Sequence, residues 1–231
     1  MALDVNKLVQ VNLTDNQYFR EEQQKFQIFL HHTAGGQSAI NTAKYWQQDV
    51  SKIATAFIIS GKVKQPNSNN EKDGDIIQCF GSKYWAYHLG LKQEVFDSFG
   101  VPYKSLDKIS IGIEICSWGQ LTKQADGTFK NYVNGIVPTD EVTELETPFK
   151  GYKYFHSYTD SQIASLKDLI IHLCNKFGIS KTYNDDIFDL TKRAFAGENG
   201  IFTHNSCRKD KVDVYPCPKL IKMLQQIEQG I

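Results

Sequence analysis

Apolar residues fall into two rhythms along the chain. In the first half they form short unbroken runs: FQIFLHH (Phe26 to His32), IATAFIIS (Ile53 to Ser60), IIQCF (Ile76 to Phe80) and ISIGIEIC (Ile109 to Cys116). Runs this long, rich in β-branched and aromatic residues, predict four strands, and the last is apolar enough to be central. Between the first two, Ile40, Ala43, Trp46 and Val50 recur at helical spacing and predict a helix over Ser38 to Val50. In the second half the helical rhythm takes over. Thr159 with Gln162 makes a capping-box pattern, and Ile163, Leu166, Leu169, Ile170, Leu173 and Phe177 form one stripe stopped by Gly178. A short strand-like IFTH then leads to His204, and a last helix begins near Pro218 with Leu220, Met223, Leu224 and Ile227 on its inner face. Strands interleaved with helices predict an α/β fold: a single mixed central β-sheet flanked by helices.

Two stretches break the rhythm. GKVKQPNSNNEKDGD is a polar loop full of turn residues. Residues 117–158, between the fourth strand and the long helix, lack apolar period and end in the aromatic KGYKYFHSY. They read as a surface insertion that shapes a cleft. Residues 1–25 precede the first strand as an N-terminal extension.

Composition narrows the partners. The 26 basic and 26 acidic side chains balance, so bulk charge does not hold this chain to nucleic acid or to an anionic membrane surface. The N-terminal segment has no secretory apolar core, and no run approaches the roughly 20 residues needed to span a bilayer. The expectation is a chain made in the cytoplasm, without membrane insertion. Five cysteines (Cys79, Cys116, Cys174, Cys207, Cys217), an odd number with no CxxC spacing, read as reduced thiols.

The chemistry concentrates at strand ends. His31 closes the first strand in FLHHTAGG, and His204 follows IFTH; downstream of it lie Asp210, Asp213 and Cys217. Two imidazoles and one anion from that set would supply the three protein ligands of a catalytic zinc site. A lone histidine at a strand end is otherwise a satisfied polar residue. Adjacent strand residues face opposite ways, so His31 and His32 do not both bind one ion. Glu114 stands inside the apolar strand Ile-Gly-Ile-Glu-Ile, where a carboxylate is costly unless partnered. It either faces outward on a half-exposed strand or serves a site. Trp85, Tyr87 and His88 form an aromatic patch in YWAYHLG, readable as packing or as a ligand surface. His156 and His172 carry no functional signal.

FLHHTAGG, IATAFIIS, DGDIIQCF, YWAYHLG, SIGIEI and THNSCRKDKVDVYP occur together and in order. In this the chain resembles the zinc-dependent N-acetylmuramoyl-L-alanine amidases of the type-2 group, which include phage endolysins, muropeptide-recycling amidases and peptidoglycan-recognition proteins. The resemblance runs from about residue 26 to the C-terminus and implies one amidase domain over 1–231. It implies Zn²⁺ held by His31, His204 and a third ligand. A lysine two residues before that ligand belongs to the pattern, so Lys211 points to Asp213, with Cys217 the rival. It further implies Glu114 as catalytic carboxylate and Lys211 as stabiliser of the oxyanion. The tyrosine that other members carry on the second strand falls near Thr55 and is missing. His88, Trp85 and Tyr87 are expected to touch substrate.

The implied reaction is cleavage of the amide between N-acetylmuramic acid and L-alanine in peptidoglycan or muropeptides. The implied protein is a monomeric phage endolysin that reaches the cell wall from the host cytoplasm. The rival readings are a cytoplasmic recycling amidase, a peptidoglycan-binding module without catalysis, and a cysteine hydrolase using Cys217 with His204.

Overall fold

The apolar runs become the interior of a six-stranded sheet. The computed structural model describes Leu3 and residues 8–231. In chain order its elements begin with strand β1 (Val9–Gln10), strand β2 (Gln27–His32), helix α1 (Ala39–Trp46), strand β3 (Phe57–Ile59) and strand β4 (Ile76–Gln78). Two short helices, α2 (Gln93–Ser98) and α3 (Leu106–Ile109), precede strand β5 (Ser110–Ile115). Strands β6 (Gln120–Lys123), β7 (Phe129–Lys130), β8 (Ile136–Val137), β9 (Val142–Phe149) and β10 (Tyr152–His156) follow. Helix α4 (Asp160–Phe177), helix α5 (Lys192–Phe195), strand β11 (Gly200–Thr203) and helix α6 (Pro218–Gln229) complete the chain.

The central sheet has the order β1-β4-β3-β5-β2-β11. Its middle is parallel: β3 with β5, β5 with β2, and β2 with β11; β4 runs antiparallel to β3. All six residues of β2 are buried, as expected of a strand covered on both faces. Helix α4 carries the predicted capping box and ends on Gly178 in the left-handed conformation (φ 69°). It buries Leu166, Leu169, Ile170 and Leu173 and packs on β3 and α6. The mixed sheet and its flanking helices are as expected from the sequence, and all five cysteines are free and buried. Among the described residues no helix is long and apolar enough to cross a membrane.

Three expectations change. The insertion is not irregular: β6 to β10 form their own antiparallel sheet in the order β8-β7-β6-β10-β9. Its own core is only Leu121, Phe129 and Val137, so alternation is too sparse to read as strands. Of IATAFIIS only Phe57–Ile59 is strand, because the Thr55 hydroxyl donates to the Phe57 carbonyl (2.9 Å), a local bond that competes with the ladder. Helix α1 stops at Trp46, short of Val50, which is 85% exposed and gains nothing by continuing. The N-terminal extension supplies the sheet's edge, with Val9 level with Ile77.

The polar loop is tied down by one carboxylate. Glu71 accepts the N–H groups of Ala39 (2.6 Å) and Ile40 (3.2 Å) at the start of α1 and the hydroxyl of Ser60 (2.6 Å). This fixes the loop that follows β3 against the helix N-terminus.

Lys25, just before β2, is fully buried, and its ammonium donates to the Lys108 carbonyl (2.7 Å). Burial lowers its pKa from 10.5 to about 7, with Asp107 opposing. In the unfolded chain Lys25 keeps its proton up to the ordinary lysine range, so between these values the unfolded state binds more protons. The ammonium's penalty is then fully present below pH 7 and relieved as pH rises. Wild-type protein should therefore gain stability over Lys25→Met between pH 7 and pH 9, by up to about 1.4 kcal/mol per pH unit. Urea midpoints of both proteins across that range measure the difference, and parallel curves would contradict it.

Candidate metal centre

Strand register sets the site. In the parallel pair β2–β5, His31 is level with Glu114, and in β2–β11, Leu30 is level with Thr203, directly after which His204 opens a short 3-10 turn. Level residues on parallel strands share a face. His31, Glu114 and His204 therefore converge at the C-terminal ends of three adjacent strands. His32 is level with Ile115 and faces the other way, its Nδ1 3.2 Å from the Tyr158 hydroxyl. The turn at His204 is locked by its neighbours: the Thr203 N–H donates to Ser206 Oγ (3.1 Å), and both hydroxyls donate to the Ile187 carbonyl.

The three proposed ligands meet. Nδ1 of His31 lies 3.1 Å from Nδ1 of His204 and 3.4 Å from Oδ2 of Asp213, and the last two atoms are 2.9 Å apart. The outer ring nitrogens decide what these atoms carry. Nε2 of His204 is 3.2 Å from the Leu89 carbonyl, which only accepts, so the proton sits there and Nδ1 is a bare lone pair. Nε2 of His31 is 3.0 Å from Nδ1 of His88, whose own Nε2 faces Ser110 Oγ (2.9 Å) and, at 4.0 Å, Asp107. With His88 protonated on Nε2, its Nδ1 accepts from His31, which leaves Nδ1 of His31 bare as well.

Burial lowers the His31 pKa to about 4, as does the nearby His204, so this imidazole is neutral at pH 7. Burial works against ionisation of Asp213, yet the His204 and His31 rings beside it hold its carboxyl well below the usual range. Two bare nitrogens and a carboxylate oxygen facing one another call for a cation. A tetrahedral zinc with bonds near 2.0–2.1 Å has ligand–ligand edges of about 3.3 Å, close to the three distances seen. The donor set fits a divalent metal, and the protons turned outward to Leu89 and His88 orient the rings for it.

The supports of this centre are a chain of contacts. Asp107 Oδ1 accepts the N–H groups of His88 (2.8 Å) and Leu89 (3.0 Å), fixing both segments that touch the histidines. Gly112 on β5 leaves the space they occupy: a Cβ there would stand 2.6 Å from Thr55 Cγ2 and 3.1 Å from His88 Nδ1.

Glu114 stands beside the cluster. One of its carboxylate oxygens is buried without a hydrogen-bond partner. Burial pushes its pKa well above 4.5, and Asp213 pushes it the same way while Lys211 opposes. A cavity of about 370 Å³ is lined by the three cluster residues together with Glu114, Lys211, His88 and Thr55. Through Glu114, Thr33, Ala34 and Trp46 it adjoins a groove of about 820 Å³, walled by α1, by Lys62 and Lys64 of the polar loop, and by Tyr132 of the insertion.

Other sequence-derived candidates fall elsewhere. Cys217 is buried at the start of α6 and is not part of the ligand cluster, so the structure brings Asp213 and not Cys217 to the histidines. Asp210 is exposed and paired with Arg208 (2.7 Å). Trp85 is buried, stacked on Phe19 (centroids 3.9 Å apart) with its indole N–H donating to Glu21 (3.0 Å). Tyr87, 44% exposed, packs edge-on to the same Phe19 ring, and neither aromatic lines the cavity or the groove. His88 does line the cavity, with its ring wedged behind His31. His156 sits between Ser117 and Glu141, under the insertion. Sequence reasoning missed Asp107, Ser110 and the Leu89 carbonyl, none of which carries a local signal.

A mixed α/β sheet with a His/His/Asp ligand set and a neighbouring carboxylate at its strand ends defines a metal-dependent hydrolase. The N-acetylmuramoyl-L-alanine amidase family matches residues 23–218, and the chain belongs to that family. Among solved structures it shares its fold with a mutant endolysin from Bacillus subtilis at 18% identity and TM-score 0.51, covering 100% of this chain and 99% of that one. It is similar to the PlyG catalytic domain at 13% identity and TM-score 0.52, covering 96% and 94%, and to the catalytic domain of XlyA at 18% and 0.50, covering 97% and 98%. No curated protein sequence matches it.

Zinc content after dialysis separates ligands from supports. Asp213→Ala should lose stoichiometric zinc while Cys217→Ala keeps it; the reverse result would hand the third position to the thiol. Asp107→Ala should keep the metal but weaken its affinity about 10- to 100-fold.

Proposed function

We propose that this chain is a zinc-dependent amidase that cuts the bond between the lactyl group of N-acetylmuramic acid and L-alanine of the stem peptide, acting as an endolysin on polymeric wall. The observation that carries the reading is the cluster of His31 Nδ1, His204 Nδ1 and Asp213 Oδ2 next to the Glu114 carboxylate, one oxygen of which is buried without a partner. When bound there, zinc supplies a Lewis acid that lowers the pKa of water towards about 7 and polarises a carbonyl. Glu114 takes the proton of the attacking water and returns one to the departing amine of L-alanine, roles suited to a carboxyl whose pKa is raised by burial. Lys211, on the same cavity wall, stabilises the negative charge on the former carbonyl oxygen.

His88 orients His31, and no tyrosine stands at Thr55, so Glu114 is the one acid–base group assigned. The intact ligand set and Glu114 favour catalysis over mere binding. The thiol reading has no matching geometry, since Cys217 stands apart from His204 and the other ligands.

The groove supports the polymeric substrate. It leads outward from Glu114 past Trp46 and the exposed Tyr45 to the exposed Tyr132, aromatic faces on which sugar rings stack. Lys62 and Lys64 face the same space and suit the carboxylates of a stem peptide.

Glu114→Gln should retain zinc while stem-peptide release from purified sacculi falls by about 10²–10⁴. Undiminished turnover would remove Glu114 from the mechanism. Faster turnover of soluble anhydro-muropeptides than of sacculi would favour the recycling reading over the endolysin.

A further inference from the structure

The turn between β9 and β10 has two residues, Lys150 and Gly151, both at positive φ (49° and 87°). That geometry is the hairpin turn that favours Asn-Gly or Gly-Gly, because a side chain in the left-handed region crowds its own backbone. A lysine at the first position is unfavourable for the turn itself, so what its side chain does elsewhere must offset the strain.

It reaches out of the insertion to the loop that carries the metal ligands. The Lys150 ammonium donates to Asn205 Oδ1 (2.8 Å), to the Lys211 carbonyl (2.7 Å) and to the Lys209 carbonyl (3.2 Å). Asn205 follows His204 directly, and its own amide donates to the Val214 carbonyl (2.9 Å), next to Asp213. One ammonium thus uses three donors to pin the segment between two ligands at Asn205, Lys209 and Lys211. Burial lowers the pKa of this ammonium from its ordinary value, and Asp189, Asp213 and Asp210 oppose the shift.

We propose that Lys150 is a positioning residue through which the insertion sheet holds His204, Asp213 and Lys211 in their working arrangement. The insertion is then a brace for the catalytic loop as well as a wall of the groove. This rests on the metal-site reading above. Freed from Lys150, the loop lets the Asp213 carboxylate and the Lys211 ammonium wander. Small displacements of such groups are costly to turnover.

The test uses the zinc-loaded full chain, with Lys150→Asn and Lys150→Arg. Asparagine suits the left-handed turn but cannot reach the loop; arginine keeps both charge and reach. Three quantities are read: zinc release to a chromophoric chelator, melting temperature, and stem-peptide release from sacculi. Lys150→Asn should melt within about 3 °C of wild type or above it. It should release zinc about tenfold faster, with kcat down about tenfold and KM nearly unchanged. Lys150→Arg should recover much of both losses. Wild-type zinc release and kcat in Lys150→Asn would overturn the proposal. So would losses of activity in both variants that follow a lowered melting temperature while zinc release is unchanged. If wild type holds zinc but frees no peptide, the amidase reading fails, and the zinc-release comparison still decides the role of Lys150.

Discussion

Two imidazole lone pairs and a carboxylate oxygen are held within 3.4 Å of one another, with the ring protons turned away. Such an arrangement repels itself until a cation enters, so the surrounding structure has to force it. The force comes from outside the cluster: the Leu89 carbonyl claims one proton, His88 the other, and Asp107 fixes both from behind. The parallel register of β2 and β5 then brings His31 and Glu114 to one face, where a one-residue shift would present His32 and Ile115 instead, and β11 delivers His204 just past its end.

Each region of the chain contributes to that constraint. The buried central strands supply rigidity, and α1 and the Glu71-clamped loop form one wall of the groove. Tyr132 of the insertion lines the opposite side, and Lys150 of the insertion reaches the loop between His204 and Asp213. Its core is too small to make it stable alone, so its packing against the central sheet and its grip on the loop from His204 to Asp213 belong together.

Much of this was legible in the sequence for definite reasons. Strands β2 and β5 are buried on both faces, so apolar runs mark them, and strand alternation by itself separates His31 from His32. Helix α4 announces itself by its cap, its stripe and its terminal glycine. Spacing alone left the third ligand open among Asp210, Asp213 and Cys217, and the Lys211–Asp213 pattern of the resembling family pointed to the residue that the fold brings in. The insertion sheet was illegible because its strands are mostly solvated and bury little beyond Leu121, Phe129 and Val137, which leaves no period. Trp85 lies outside the cavity and the groove, stacked under Phe19, a contact distant in sequence. Asp107, the Leu89 carbonyl and Lys150 act through contacts 18 to 115 residues apart, which no local pattern encodes.

The central claim is that His31 and His204 present Nδ1, and Asp213 its carboxylate, to one zinc ion. An anomalous difference map at the zinc edge, from crystals of the metal-loaded protein, tests it most directly. The account predicts a single strong peak about 2.1 Å from each of those three donor atoms, with Cys217 Sγ well outside bonding range. A peak bound through Nε2 of either histidine, or through Cys217 in place of Asp213, would contradict it.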